Sequence, residues 1–232
     1  MKVVLMCGGK GTRMLPLTEK VPKTLISIGG RPFLYYLLTN LKKAGFTEFG
    51  IIAGYKKDQI VNFCEENDFN VTFIDQPVAL GTGDAVARAK NFTKDEQFIV
   101  CSGDGLWYVE DFKRLNQDDD FIYTLALEVP NPEHYGVFQC DGEFLINIVE
   151  KPKEFVGNLI NTGLYKFTPD IYKELEKVNP QPNGEYYLTD AITALAKKRK
   201  VKVISIKDYW KDLGKLEDIE PMEKFISEEW SG

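Results

Sequence analysis

Short apolar runs alternate with amphipathic stretches along the first half of the chain. Val3 to Met6 is an unbroken apolar run with the length of one buried strand. From Arg31 to Ala44, the residues Phe33, Leu34, Leu37, Leu38 and Leu41 recur at three- and four-residue steps, which predicts a helix with one buried face. Gly45 is suited to stop it, because the position just past a helix often takes the left-handed conformation. Phe49 to Ala53 reads as a second strand. Lys57 to Glu66 reads as an amphipathic helix with Ile60, Val61 and Cys64 on one side, and Val71 to Ile74 as a third strand. Thr82 is placed to cap a helix through Ala85 to Ala89. Gln97 to Ser102 is a further strand, Val109 to Leu115 a helical segment, and Phe121 to Leu127 a strand.

Strands that alternate with helices predict an α/β fold with a mostly parallel sheet and helices on both faces. In such sheets ligands bind beyond the carboxyl ends of the strands, so the loops after strands are the ones to search for chemistry. From Glu133 the pattern changes. Asp141-Gly142 marks a tight hairpin before the strand Phe144 to Val149. Ile160 to Tyr165 is another strand, and Thr168-Pro169 opens a helix. Glu185 to Ala191 enters a helix that continues to Lys197, and Val201 to Ile206 is the last clear strand. Pro221 would break a long final helix, so that helix is expected to start near it. Phe225, Ile226 and Trp230 are expected to pack back on the sheet.

Composition narrows the field. The 232 residues are 44% hydrophobic and 28% charged, ordinary for a globular domain, and the net charge of −6 argues against a nucleic-acid partner. A local cationic cluster can still attract a small anion. The four cysteines, Cys7, Cys64, Cys101 and Cys140, form no C-x-x-C pair, so neither a zinc site nor a disulfide framework is indicated. The apolar run before Cys7 is too short for a signal-peptide core. No stretch approaches the roughly 18 apolar residues of a membrane span, which makes the cytoplasm the expected location.

The densest chemistry follows the first strand, in Gly8-Gly9-Lys10-Gly11-Thr12-Arg13. The glycines let the backbone approach a ligand closely, and successive N–H groups in such a turn form an anion-binding concavity. Arg13 adds a forked cation suited to phosphate, and Lys23 follows the stiffening Pro22. The spacing fits neither a P-loop, because Lys10 is followed by Gly11, nor a dinucleotide fingerprint, because Gly9-x-Gly11 leads to Met14. A bland alternative, a glycine-rich turn with stray charges, does not account for an arginine and a lysine gathered directly after a strand.

Gly8-Gly9-x-Gly11-Thr12-Arg13, Pro16-Leu17-Thr18 and Pro22-Lys23 together resemble the signature of the sugar-1-phosphate nucleotidyltransferases, the NDP-sugar pyrophosphorylases. The pattern is closest to the glucose-1-phosphate thymidylyl- and uridylyltransferases, and the resemblance runs through the whole chain. It implies a Rossmann-like, GT-A-like sheet with a small β annex that forms the sugar site. It also implies a nucleotide-binding half over 1–130 and a sugar-phosphate-binding half over 131–232. The hexapeptide repeats of the β-helix domain found in some relatives are missing from these residues.

The same resemblance supplies roles. Gly8, Gly9, Gly11, Thr12, Arg13 and Lys23 would hold the triphosphate. Gln76 and Gly81, in a loop that also carries Leu80 and Ala85 of an L-G-x-x-x-A motif, would read the base. Asp104, in Gly103-Asp104, and Asp212, in Trp210-x-Asp212-x-Gly214, would hold Mg²⁺. Tyr135 and Gly136, Glu150 and Asn161 would face sugar hydroxyls, and Lys151 the sugar phosphate. Arg13, Lys23 and Lys151 would carry catalysis, and Glu185 a structural or substrate-facing role. A lone histidine, His134, reads as a loop residue rather than a base.

The implied reaction transfers a nucleotidyl group from an NTP to a sugar 1-phosphate, with UTP or dTTP and glucose 1-phosphate favoured. GTP- or CTP-dependent transfer to mannose, heptose or another sugar phosphate stays open, because Gln76 can pair with cytosine if its amide flips. A metal-dependent glycosyltransferase would instead use Asp118 to Asp120, a D-x-D that otherwise reads as a solvated connection. A nucleotide-sensing subunit should have lost a phosphate or metal residue, and Arg13, Lys23, Asp104 and Asp212 are all present. The expected partners are therefore small molecules, without nucleic acid or membrane, and a homo-oligomer is left open.

Overall fold

The computed structural model describes residues 1–230; Ser231 and Gly232, the end of the expected sugar-phosphate half, lie outside the described residues. β1 (Lys2–Met6) leads into a long loop of three 3₁₀ turns, Thr12–Met14, Leu17–Glu19 and Lys23–Leu25. A short ribbon, β2 (Ser27–Ile28) and β3 (Arg31–Pro32), then delivers the chain to α1 (Phe33–Lys43). β4 (Phe49–Ala53), α2 (Lys57–Glu66), β5 (Val71–Asp75), α3 (Thr82–Arg88), α4 (Lys90–Thr93) and β6 (Phe98–Ser102) complete an alternating βα run. Next come β7 (Gly105–Trp107), α5 (Val109–Arg114) and β8 (Ile122–Glu128), then β9 (Gly136–Asp141), β10 (Phe144–Glu150) and β11 (Leu159–Phe167). α6 (Asp170–Leu175), α7 (Leu188–Ala196), β12 (Val201–Ser205), β13 (Trp210–Asp212) and α8 (Ile219–Glu229) close the described chain.

Among the described residues nine strands form one sheet in the order β5-β4-β1-β6-β11-β8-β12-β10-β9. β5, β4, β1 and β6 are parallel neighbours, and β12 is parallel to β8. β11 runs against β6 and β8, and β10 runs against β12 and β9, so the remaining strands all point one way. The hairpin β9–β10 sits on the far edge of the same sheet, as the expected annex. A two-stranded ribbon, β7 with β13, stands apart and joins residues more than a hundred positions distant in sequence.

Side-chain alternation divides the strands between two cores. Val3, Leu5, Ile51, Ile99 and Cys101 face one side, where Leu34, Leu37, Leu38 and Leu41 of α1, Ile60 of α2 and Phe112 of α5 meet them. Val4, Ile52, Phe98 and Val100 face the other, against Val86 of α3, Ile171 of α6 and Ile192 of α7. Each such aliphatic or aromatic side chain taken fully out of water contributes about 1.5–3 kcal/mol, so the central strands are fixed from both faces. That rigidity holds the carboxyl ends of β1, β4, β5 and β6 in one row.

Gly45 takes φ +94° and ends α1 as expected, and Gly142 makes the β9–β10 turn at φ +60°. Two local expectations need correction. Thr82 lies inside α3 rather than capping it; its hydroxyl accepts the Leu188 N–H at 3.2 Å and so serves the start of α7. The last helix does start near Pro221, as expected: Pro221 falls in the first turn of α8, where its missing N–H has no partner to lose. The aromatic side chains of the last helix meet Tyr36 of α1, through Trp230, and Tyr209, through Phe225, rather than the sheet itself. All four cysteines are free, with Cys7, Cys64 and Cys101 buried.

Candidate active site

The first loop is shaped by what its backbone must do. Gly11 takes φ +63°, a conformation costly for residues with a Cβ. Its carbonyl accepts the Thr18 hydroxyl at 3.0 Å, which folds the loop back on itself. Pro22, extended at φ −63° and ψ 150°, then turns Lys23 inward. There the Lys23 ammonium meets the Asp104 carboxylate, Nζ to Oδ2, at 2.7 Å. Residues 81 positions apart are joined because the loops after β1 and β6 leave adjacent, parallel strands.

Asp104 lies between β6 and β7, and Asp212 ends β13. The register pairs Asp212 with Gly105, and the Leu213 N–H donates to the Asp104 carbonyl at 2.9 Å. The two carboxyls are therefore neighbours. Asp212 is pushed up to about 7, first by burial and then by the negative charge of Asp104; Lys23 and Arg13 pull the other way without cancelling it. Two oxygen-donor carboxylates that repel one another, open to a cavity, fit a small hard cation. Mg²⁺ characteristically takes one or two carboxylates and completes its shell with water and substrate phosphate. Among the described residues no three His, Cys, Asp or Glu side chains converge, so an all-protein cage is not built here.

Gln76 follows β5 and is buried. Its amide NH₂ donates to the Gly81 carbonyl at 3.1 Å and to Asp84 Oδ2 at 2.9 Å. Gly81 takes φ +93°, and a Cβ there would stand 2.6 Å from the Tyr186 carbonyl oxygen, so no other residue fits. The segment before α7 clamps this loop. The Tyr186 N–H donates to the Leu80 carbonyl and the Gly83 N–H to the Tyr186 carbonyl, both at 2.8 Å. Both amide hydrogens of Gln76 therefore already have protein partners.

The other wall comes from β9–β11. The Lys151 N–H donates to the Tyr135 carbonyl at 3.0 Å, which ties the end of β10 to the start of β9. Lys151 itself sits at φ +42°, a strained position for a residue with a side chain. β11 breaks register against β8 between Asn161 and Tyr165. Such irregularities are frequent beside active sites, where they re-aim side chains. The buried Thr162 hydroxyl pins this one, donating to the Leu125 carbonyl at 3.0 Å and accepting the Trp107 indole N–H at 3.2 Å. Asn161 donates to the Tyr165 hydroxyl at 2.7 Å and accepts the Gly163 N–H at 3.0 Å. Tyr135 stands beside Asp212; burial, and then that negative charge, raise its phenol.

These residues line adjoining cavities over the strand ends. A 740 Å³ cavity is bounded by Gly8, Gly9, Arg13, Gln76, Gly81, Asp104, Glu150, Lys151 and Glu185. A 260 Å³ cavity beside it takes in Gly11, Thr12, Arg13, Lys23 and Asp104. Asp104 and Asp212 also border a 240 Å³ cavity walled by Tyr135, Gly136, Glu150 and Asn161. Arg13, Tyr135, Lys151 and Asp212 meet again around a 590 Å³ cavity. The residues given phosphate, base, metal and sugar roles from the sequence thus all line these adjoining cavities. His134 stands at their rim, exposed. Sequence reasoning missed the hydroxyls of Ser102 and Thr189 and the indole of Trp210 that line the region. Ser102 could have been found as the last residue of a central strand, and Thr189 as the threonine four residues after Glu185; nothing marks Asp84 locally.

The D-x-D run lies elsewhere. Asp118 to Asp120 precede β8, whose carboxyl end points toward the site, so they stand at the opposite end of that strand. Asp119 is engaged there by the wholly buried Lys166, Nζ to Oδ1 at 3.0 Å. Lys166 also donates to the carbonyls of Asp119 at 2.7 Å and Phe121 at 3.0 Å.

Residues 2–229 match the family model described as nucleotidyl transferase. The chain belongs to the nucleotidyl transferase family. It is 40% identical over 220 residues to the bifunctional protein GlmU of Methanococcus aeolicus, an alignment covering 94% of this chain and 53% of that protein. It is 35% identical over 240 residues to the low-salt glycan biosynthesis nucleotidyltransferase Agl11 of Haloferax volcanii, covering 100% of this chain and 67% of the relative. The chain thus spans about half the length of its GlmU relatives. Among solved structures it resembles a Bacillus anthracis protein described as a glucose-1-phosphate thymidylyltransferase, in complex with sucrose. The TM-score is 0.85 at 26% identity, covering 97% of this chain and 94% of that one. Family membership and the mixed α/β architecture agree with the reading from the glycine-rich loop and the strand–helix alternation. No helix among the described residues is long and apolar enough to cross a membrane.

Proposed function

We propose that this protein transfers a nucleotidyl group from an NTP to a sugar 1-phosphate, releasing pyrophosphate, with UTP or dTTP and glucose 1-phosphate as the favoured pair. The observation that carries the reading is the Lys23–Asp104 contact with Asp212 beside it, at the junction of a glycine-lined cavity and a cavity walled by Tyr135, Glu150 and Asn161. One side suits a triphosphate and the other a polyol. The glucose-1-phosphate thymidylyltransferase description of the structural relative supports the same choice of substrates.

In this reading residues 1–130 hold the nucleotide and 131–232 the sugar phosphate. The glycine-rich loop offers N–H groups to the triphosphate, and Arg13 and Lys23 neutralise the β- and γ-phosphates that leave. Lys151 draws in the sugar phosphate, while Tyr135, Gly136, Glu150 and Asn161 bind sugar hydroxyls. A terminal oxygen of the sugar phosphate forms the new bond to the α-phosphorus, and the bond from that phosphorus to the bridging oxygen of pyrophosphate breaks. The attacking phosphate is already ionised, so no protein base is required; alignment and charge neutralisation lower the barrier. Asp104 and Asp212 would hold Mg²⁺, which supplies charge neutralisation at the α-phosphate when bound. The D-x-D of the glycosyltransferase alternative lies at the other end of β8, and its middle residue, Asp119, is engaged by Lys166.

The test is a matrix of UTP, dTTP, CTP, ATP and GTP against several sugar 1-phosphates, scored by pyrophosphate formation. The reading expects pyrophosphate to appear only when both substrates are present, fastest with UTP or dTTP. A GTP or CTP optimum would move the substrate assignment to the mannose or heptose class. Absence of pyrophosphate throughout would overturn the reaction.

A further inference from the structure

The Gln76 side chain has one hydrogen-bonding atom left for a ligand. Its NH₂ group donates to the Gly81 carbonyl at 3.1 Å and to Asp84 Oδ2 at 2.9 Å. Both partners are acceptors, so the amide nitrogen must lie on their side. Among the described residues no protein donor reaches Gln76 Oε1. That oxygen lies over Gly8, where a Cβ would come within 2.5 Å of it, and Gln76 lines the 740 Å³ cavity. Asp84 is itself held in place by Arg88, whose Nε donates to the same Oδ2 at 2.8 Å. Its side chain is 17% exposed, so this carboxylate acts from behind the cavity wall. It does not line the cavity.

We propose that Asp84 is a positioning residue that locks the Gln76 amide with its oxygen toward the cavity, and thereby selects a pyrimidine with a protonated N3 over cytosine. The inference rests on the reading that Gln76 faces the base of the bound NTP. Uracil and thymine present an N3–H donor, which complements the locked oxygen. Cytosine presents a bare N3 acceptor, and two acceptors repel. Sequence alone leaves this choice open, because a free glutamine can flip to suit either base. With Asp84 Oδ2 and the Gly81 carbonyl beside it, the flipped amide would turn its oxygen against two acceptors. Adenine also brings an acceptor, at N1, and is disfavoured by the same contact; guanine brings N1–H and must be excluded by other parts of the cavity.

The test is equilibrium binding of UTP and CTP in magnesium buffer, by calorimetry, to the full chain and to Asp84→Asn, Gln76→Leu and the double variant. An asparagine can accept or donate, which frees the glutamine to flip. The inference expects wild type to bind UTP at least about fivefold tighter than CTP, the low end for one well-placed base contact. Asp84→Asn should bring that ratio to within about twofold of unity, mainly by improving CTP. In the Gln76→Leu background, Asp84→Asn should leave the ratio unchanged, since the lock then has nothing to hold. An Asp84→Asn ratio equal to wild type, an equal shift with and without Gln76, or a wild type that prefers CTP would each overturn the inference. The readout is binding, so loss of the transferase reading would show separately, as absent pyrophosphate with the UTP–CTP ratio intact. Thermal melts of each variant identify any that fail to fold, and Asp84→Glu, which keeps the charge, should restore the wild-type ratio.

Discussion

Lys23 and Asp212 carry the sharpest single-residue consequences. Lys23→Ala or Arg13→Ala should lower kcat/KM about a hundredfold, the cost of about 3 kcal/mol for one preorganised charge contact, while the protein stays folded. Near-normal turnover in Lys23→Ala would remove it from the chemistry. Asp212 has a carboxyl pushed up to about 7 by burial and by Asp104, so it must lose a proton before it can ligate a cation. Its folded form holds that proton more tightly than an unfolded chain would. In the absence of metal, stability therefore falls as pH rises from the ordinary carboxylate range through about 7. Mg²⁺ binding should move oppositely, tightening about tenfold between pH 6 and pH 8 as one group near 7 ionises. Asp212→Asn should weaken binding and flatten that slope; a pH-independent affinity in the wild type would contradict the assignment. The identities of these residues were legible in the sequence because the glycine-rich loop, Gly103-Asp104 and the Trp210-to-Gly214 stretch are contiguous motifs. The proximity of Asp104 to Asp212 was not, since it depends on the β7–β13 ribbon, whose strands are far apart in the chain.

The same contrast holds for whole segments. α1 was readable because its three- and four-residue steps report which face is buried, and the central strands because burial on both faces makes them short apolar runs. The clamp of 185–187 on the Gln76–Gly83 loop was not readable, because it consists of backbone hydrogen bonds that leave no mark on side-chain pattern. Gly81→Ala tests that clamp. At φ +93° with the Tyr186 carbonyl 2.6 Å from a Cβ, the substitution must push the two segments apart. Nucleotide KM should rise several-fold with a smaller change in kcat; an unchanged KM would show that the loop tolerates displacement. The D-x-D turn gives the converse case. Asp119→Asn removes the charge partner of buried Lys166, a loss of about 1–3 kcal/mol for a compromised buried polar group. For a chain of this size the melting temperature should drop about 2–4 °C per kcal/mol. Pyrophosphate formation per folded molecule should stay at the wild-type level, as it should for Asp118→Asn. A specific loss of activity in either variant would revive the glycosyltransferase alternative.

For the molecule as a unit, the sheet explains why so many distant residues converge. Parallel strands β5, β4, β1 and β6 end on one line; β11, next to β6, starts there, and β9, paired with β11 at Ile160 and Val137, brings the second wall beside it. Strand–helix alternation predicted the first group, while the position of β11 between β6 and β8 follows no sequence rule and had to be seen. A site formed this way can hold two phosphorylated substrates end to end, which is the central claim. The most direct measurement uses glucose 1-phosphate labelled with ¹⁸O in the bridge between C1 and phosphorus, incubated with UTP and Mg²⁺. Mass spectrometry then follows the label, and the pyrophosphate formed is counted. The account predicts one pyrophosphate per NDP-sugar with the bridging label fully retained, because the sugar phosphate attacks through a terminal oxygen and the C1–O bond is never broken. Label lost from the sugar–phosphate bridge, or sugar transfer without pyrophosphate, would contradict it.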